Sequence, residues 1–394
     1  ELSSVVRCIE NGAEDYLPKP FDPVLLNARV GACLEKKWLH DLEKEQRQEM
    51  ARLNKELVKR NEFIRRTFGR YLSDEIVESI LESPEGLKIG GEKREVTIMM
   101  TDIRGFTVLG ERLPADTIVS MLNIYLEAMT EIILKYDGTI DEFIGDAILV
   151  IFGAPFLRPD DPQRAVACAI EMQLAMEDVN QRFQELGYPA VEMGIGINTG
   201  EVVVGNIGSS KRSKYGVVGH QVNLTSRIES YTVGGQIYVS ENTLDRCGSI
   251  LRVDGEMEVL PKGVDHEITI YDIGGIGGDF NVSLPERTAE EFVALDPPLL
   301  VDAWVVEGKD IDSERFRAQL KGLSTSGARL VSDYPIQEKA NLKLQLLHSE
   351  DLKIGGAIYA KVTAVIRQPA REFSIVFTSV PYEVEMFFEN EMDQ

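Results

Sequence analysis

The run Glu142-Phe-Ile-Gly-Asp-Ala-Ile-Leu-Val-Ile-Phe152 sets an acidic turn directly before an almost wholly apolar segment. Ala147 to Phe152 has the length and β-branched content of a buried strand, with Asp146 at its mouth beside Gly145. Val96-Thr-Ile-Met-Met-Thr101 repeats the pattern and runs into Asp102. One aspartate after an apolar strand is commonly a cap or a turn former. Two on neighbouring strands would make a site of hard oxygen ligands suited to magnesium or manganese. Further on, Asn223 and Arg227 lie four apart on a predicted helix, so an amide and a guanidinium share one face.

Three segments stand in a fixed order: Asp102-Ile-Arg-Gly-Phe-Thr107, then Phe143-Ile-Gly-Asp-Ala147, then Lys214-Tyr-Gly-Val-Val-Gly-His-Gln-Val-Asn-Leu-Thr-Ser-Arg-Ile-Glu229. Together they resemble the catalytic domain of class III nucleotidyl cyclases over roughly residues 68–273. The resemblance implies closure of a nucleoside triphosphate to a 3′,5′-cyclic monophosphate with release of pyrophosphate. It also implies two Mg2+ or Mn2+ ions per site, held by Asp102, Asp146 and the Ile103 carbonyl, with the amides through Thr107 facing the triphosphate. Asn223 would orient the ribose and Arg227 would stabilise charge developing on the transferred phosphate. Lys262, in Pro-Lys-Gly, resembles a triphosphate-contacting lysine and equally suits a hairpin turn. Family sites are shared across a two-fold interface, so a chain carrying both halves implies a homodimer.

The base-selecting positions depart from the commoner pattern. Adenylyl cyclases usually carry Lys where this chain has Glu142 and Asp or Thr where it has Gly216. Guanine offers N1–H and a 2-amino group to one carboxylate, whereas adenine would face Glu142 with a lone pair. Guanylyl cyclases carry Glu at the first position but commonly Cys at the second. GTP is therefore the expected substrate. An adenylate cyclase with atypical base-selecting residues is the alternative, and a non-catalytic signalling adaptor is the rival from another class.

These residues need a scaffold of α/β and α+β type. Alternating strands and helices over 94–273 predict one large sheet, the ferredoxin-like α+β domain of the cyclase family. Strands are expected near 191–198 and 201–207, with Gly194, Gly196 and Gly200 as bulge or turn glycines. No phosphate-cradling Gly-x-x-x-x-Gly-Lys-Ser/Thr loop occurs. Before the cyclase domain, residues 35–67 are charged, free of Gly and Pro, and apolar at Met50, Leu53, Leu57 and Ile64, a short parallel coiled coil. A helix following Ser73 or Asp74 is expected to reach Leu81.

Residues 1–34, with Lys19-Pro-Phe21 and an amphipathic helix from Pro23, resemble the last third of a response-regulator receiver domain. Lys19 would contact the phosphoryl group, Pro20 often follows a cis bond, and the phospho-accepting aspartate and a histidine kinase partner would lie upstream. The opening Glu1-Leu-Ser-Ser reads as a point inside a longer chain. Residues 274–284, rich in glycine, read as a flexible linker. Six short strands then predict a small barrel over 285–394, with a helix over 381–392. Leu320-Lys-Gly-Leu-Ser-Thr-Ser-Gly327 resembles the strand-turn of PilZ domains. Gly322 replaces its acidic or amide residue, and Arg287 lacks a second arginine, so cyclic di-GMP binding is not expected of this barrel.

The 394 residues exceed one core, and a net charge of -23 argues against general nucleic-acid binding. No segment reads as a membrane span, and four scattered cysteines and four scattered histidines fit neither a disulfide framework nor a zinc site. A reducing, cytoplasmic setting is expected.

Overall fold

The computed structural model describes residues 6–7, 10–13, 19–20, 22–68, 89–209, 211–261, 264–286, 292–307, 310–311, 314–349, 352–366 and 372–392. Residues 1–77 and 78–394 form two compact units. Ser73, Asp74 and Leu81 lie outside the described residues, as do Lys262 and Arg287.

In the first unit, the Lys19–Pro20 bond is cis. Asp22 accepts from the amide of Val24 at 2.8 Å and so caps the start of α1 (Pro23–Phe68). The sequence suggests a break near residue 34. Instead one 46-residue helix runs through it, because Gly31 is the only glycine in the span and one interior glycine costs only about 1 kcal/mol. Glu43–Arg47 and Glu56–Arg60 pairs staple successive turns. Met50, Leu53 and Leu57 are all exposed.

The second unit begins with β1 (Gly90–Ile103), α2 (Phe106–Arg112), α3 (Ala115–Lys135), β2 (Thr139–Ile144), β3 (Ala147–Phe152), α4 (Asp161–Glu185) and β4 (Met193–Ser209). The sheet order β2-β3-β1-β4 is the ferredoxin-like arrangement, with β1 antiparallel to both β3 and β4. Beyond these come β5 (Arg212–Val218), α5 (His220–Ser230), β6 (Ile237–Ser240), α6 (Glu241–Cys247), β7 (Leu251–Val259), β8 (Ile268–Ile276) and β9 (Val282–Ser283). β6, β8 and β7 extend the sheet past β4, while β5 pairs with the far end of β4. Met99, Tyr125, Ile133, Phe152, Ile170 and Phe183 belong to the core between sheet and helices.

Three expectations are corrected. First, β4 is one 17-residue strand that pairs with β1 from Gly90 to Ile103, so no turn separates 198 from 201. Its glycines answer to packing: a Cβ on Gly196 would stand 2.7 Å from the Cα of Glu229, and one on Gly200 would press on the Gln221 side chain. The missing side chains let α5 lie directly against the strand. Second, Gly274–Ile276 finish β8 and are buried; a Cβ on Gly275 would stand 2.9 Å from that of Ser283 in the neighbouring β9. Their glycine content reflects close packing where the sequence suggested a linker. Third, α3 is long and apolar enough to cross a membrane by length and composition, which the sequence reading overlooked. Its apolar residues Met121, Ile124, Tyr125, Met129 and Ile133 are buried against the sheet.

The remaining strands, β10 (Val293–Glu307), β11 (Asp310–Ile311), β12 (Phe316–Leu323), β13 (Gly327–Val331), β14 (Asn341–Ser349), β15 (Leu352–Ile366) and β16 (Glu372–Ser379), precede α7 (Tyr382–Met392). Six of them pair antiparallel in the order β10-β12-β13-β16-β15-β14, and β14 returns to β10 to close the barrel. β12 alternates from Phe316 to Lys321, with Phe316, Ala318 and Leu320 turned inward.

Candidate active site

The antiparallel pairing of Thr101 with Ile148 brings the end of β1 beside the start of β3. The turn before β3 passes through Gly145 at φ 68°, a left-handed conformation that glycine adopts without a Cβ penalty, and this sets Asp146 next to Asp102. Asp146 Oδ2 accepts from the Ile103 amide at 3.2 Å. Burial, reinforced by the charge of Asp102, pushes the Asp146 carboxyl up to about 7. Burial also raises Asp102, against the pull of Arg104 and the hydrogen bond to Asp146. Two half-buried carboxylates that oppose each other's ionisation are a donor set that a hard divalent cation would relieve. Among the described residues no group of three or more His, Cys, Asp or Glu side chains gathers as a metal cluster. Two carboxylates still fit magnesium, which binds through one or two of them and takes the rest of its shell from phosphates and water.

Arg104 stands two residues beyond Asp102. Its Nη1 is 3.9 Å from Asp102 Oδ2, while its Nη2 donates to Thr232 Oγ1 at 3.1 Å and pairs with Glu229. The end of β1 is thereby tied to the end of α5. Gly105, at φ 69°, turns the chain into α2, whose first backbone bonds are donated by Val108 and Leu109. The exposed Thr107 thus lies in the first turn, where helix geometry leaves amides outside the ladder.

A cavity of about 460 Å³ brings a second set together: Glu142 and Gly216 line it with Asn223, over an apolar floor that includes Met100 and Leu149. A bulge between Ile140 and Glu142 leaves Asp141 as the extra residue of β2. Lys214 Nζ bridges both acids, 2.8 Å from Asp141 Oδ2 and 2.8 Å from Glu142 Oε2. The two carboxylates differ in setting. The Asp141 side chain is 3% exposed and that of Glu142 47%. Burial raises the Asp141 carboxyl against the hydrogen bond from Lys214, and its Oδ1 is buried without a hydrogen-bond partner among the described residues. A Cβ at position 216 would collide with that Oδ1 and stand 3.0 Å from Lys214 Cε. Glycine at 216 is therefore a consequence of Asp141.

α5 carries Asn223, exposed, and Arg227, half-buried one turn later. Arg227 Nη1 is buried with no hydrogen-bond partner among the described residues, a cationic donor available to an anion. One chain thus assembles two clusters, the Asp102/Asp146 pair and the Glu142/Gly216/Asn223 cavity. In the barrel, Ser324 Oγ accepts from the Gly327 amide at 2.9 Å, holding its own turn.

Sequence reasoning missed Asp141, Lys214, Arg104 and Glu229. Lys214 had a signal: it lies two residues before Gly216 on a strand and so faces the same side. Asp141 had none, because only the bulge turns it inward beside Glu142.

Residues 90–274 match the family model described as the adenylate and guanylate cyclase catalytic domain. Adenylate cyclase 1 of Rhizobium meliloti is 29% identical over 212 residues, covering 53% of this chain and 32% of that protein. An adenylate cyclase of Anabaena cylindrica is 32% identical over 222 residues, covering 52% and 42%. The chain therefore spans between about a third and two fifths of the length of these curated relatives. Among solved structures, the guanylyl cyclase Cya2 is 56% identical over 50% of this chain and 100% of its own, with a TM-score of 0.49. The adenylyl cyclase CyaB of P. aeruginosa is 35% identical over 48% and 99%, with a TM-score of 0.47.

Proposed function

We propose that this chain, whose residues 90–274 match the adenylate and guanylate cyclase catalytic domain, converts GTP to cyclic GMP and pyrophosphate at sites shared by two copies of itself. The observation that carries the guanylate reading is the cavity in which the Glu142 carboxylate, held by Lys214, faces Gly216 and Asn223. Glu142 accepts from guanine N1–H and the 2-amino group. Lys214, with a third ammonium proton beyond the two it gives to Asp141 and Glu142, donates to O6.

Asp102 and Asp146, with the Ile103 carbonyl, would hold two Mg2+ or Mn2+, which supply activation of the ribose 3′-hydroxyl and neutralisation of the triphosphate. The first-turn amides of α2 at Thr107 face the phosphates, and Lys262 is given a triphosphate contact on its sequence resemblance alone. Asn223 fixes the ribose. Arg227, with its unpaired Nη1, takes up the charge that develops on the transferred phosphoryl oxygens. The exposed stripe at Met50, Leu53 and Leu57 supports a parallel coiled coil as the dimerising element. We assign residues 1–34 to the end of a receiver domain addressed by a histidine kinase, the C-terminal barrel to a PilZ-like module, and the setting to the cytoplasm.

ATP is the second reading, and one observation favours it. Lys214 beside the unpartnered Asp141 Oδ1 is a donor next to an acceptor, the pattern that matches adenine N1 and N6. The purified chain, supplied with GTP or ATP and either metal, decides between them by the cyclic product formed. Cyclic AMP alone overturns the guanylate reading. No product from either nucleotide favours a non-catalytic adaptor.

A further inference from the structure

Along β15, Ile358, Ala360 and Val362 are buried in the barrel core, so strand alternation turns Lys361 to the barrel's outside. An outward lysine is ordinarily solvated, yet Lys361 is 3% exposed, because it is pressed against the cyclase domain. Its Nζ donates to the main-chain carbonyl of Thr232 at 3.0 Å and to that of Ser230. Ser230 is the last residue of α5, the helix that carries Asn223 and Arg227. The contact gives N–H donors to the negative end of that helix and satisfies carbonyls its ladder leaves open.

The same end is held from the other side. Thr232 Oγ1 accepts from Arg104 Nη2 at 3.1 Å and donates to the Glu229 carbonyl at 2.8 Å, and Arg104 lies two residues from Asp102. Lys361, Thr232 and Arg104 therefore form one continuous relay from barrel to helix end to metal loop. Nearby, Arg112 of α2 donates to the Ala357 carbonyl at 3.3 Å, a second stitch between the same two bodies. Burial beside Arg104 and Lys339 lowers the Lys361 ammonium to about 7, a cost accepted in exchange for these contacts.

We propose that Lys361 is a positioning residue for the cyclase reaction: from the barrel it fixes the C-terminal end of α5 and so sets where Arg227 and Asn223 stand. The barrel is then part of the catalytic scaffold, whatever else it binds. This rests on the cyclase reading of Arg227 and Asn223.

The test uses the full chain with Lys361→Met, near-isosteric but without donors, and Lys361→Arg, which keeps charge and donors. Steady-state turnover is measured together with amide hydrogen exchange over residues 220–232. Lys361→Met should lower kcat roughly tenfold with KM for nucleotide within about twofold, since a small misplacement of a group acting in the transition state costs rate more than binding. Exchange at the end of α5 should quicken, and Lys361→Arg should recover most of both. Wild-type kcat and exchange in a folded Lys361→Met chain overturn the proposal, as do equal losses in the Met and Arg variants. Should Lys361→Met fail to fold, Lys361→Gln, neutral with two amide donors, takes its place with the same expectations at smaller size. A wild-type chain that makes no cyclic nucleotide defeats the proposed function instead, while the exchange comparison still decides whether Lys361 holds the helix.

Discussion

Asp146 Oδ2 accepts from the Ile103 amide at 3.2 Å, so the turn before β3 is fastened to the end of β1, and this holds together the two aspartates proposed as metal ligands. That preorganisation has an electrostatic cost, because burial and the charge of Asp102 push the Asp146 carboxyl from 3.8 up to about 7. In chelator the folded chain therefore holds a proton that the unfolded chain releases near pH 4. Its stabilising contribution is full below that value and is lost as pH rises towards about 7. The melting temperature should fall between pH 4 and pH 7 in chelator, and saturating Mg2+ or Mn2+ should remove the fall by binding the ionised pair. In Asp146→Asn the slope should flatten, metal should cease to stabilise, and turnover should drop at least about 10³-fold. Equal slopes in wild type and variant, read by calorimetry, would count against the site.

Glu142 is 47% exposed, so it is only partly desolvated in the free chain. A fully buried polar group can discriminate by about 10⁴ to 10⁵, and the half-exposed Glu142 should give less, about 10²-fold. Glu142→Lys should lower kcat/KM for GTP by that factor and raise the ATP to GTP ratio. Adding Gly216→Thr alone should fail to complete the switch, because its Cβ meets Asp141 Oδ1. The triple variant with Asp141→Ala should be the one that uses ATP. An unchanged nucleotide ratio in Glu142→Lys would remove Glu142 from the selection.

Much of the scaffold was legible because its signals are local. Ala147–Phe152 reads as a buried strand from its own composition, and the six barrel strands read from their own alternation. The turn at Gly145 and Asp146 is likewise written in adjacent residues. What escaped depends on contacts remote in sequence. Gly196 looks like a turn glycine until α5 is laid across it, and Gly275 looks like a linker glycine until β9 returns beside it. Asp141 was hidden by a bulge, which shifts the period-2 pattern by one residue and leaves no mark in composition. Lys361 reads as an ordinary outward barrel lysine, because its burial comes from another domain.

A third prediction tests α1. Met50, Leu53 and Leu57 are 70%, 49% and 58% exposed on a single helix, a stripe that water should not be left to cover. Leu53→Lys with Leu57→Lys puts like charges into the seam of a parallel pair. Light scattering should show a shift towards monomer, and specific activity should fall as the chain is diluted. A double variant that stays dimeric and fully active would place the dimer contacts wholly outside this helix.

The final prediction follows from the separation of the Asp102/Asp146 pair from the cavity lined by Glu142, Gly216 and Asn223. If each site takes its metals from one subunit and its Arg227 from the other, a dimer of one Asp102→Ala chain and one Arg227→Ala chain retains one intact site. Each variant alone should be nearly inactive, with Arg227→Ala losing about 10² to 10³ in kcat at a KM changed little, the behaviour of a group that acts on developing charge. Mixed in equal amounts and allowed to exchange subunits, half the dimers are hybrids with one site in two working. The mixture should then recover roughly a quarter of wild-type activity. Two variants that remain inactive together, although light scattering or labelled-chain exchange shows that hybrids form, would mean that each subunit builds its site alone.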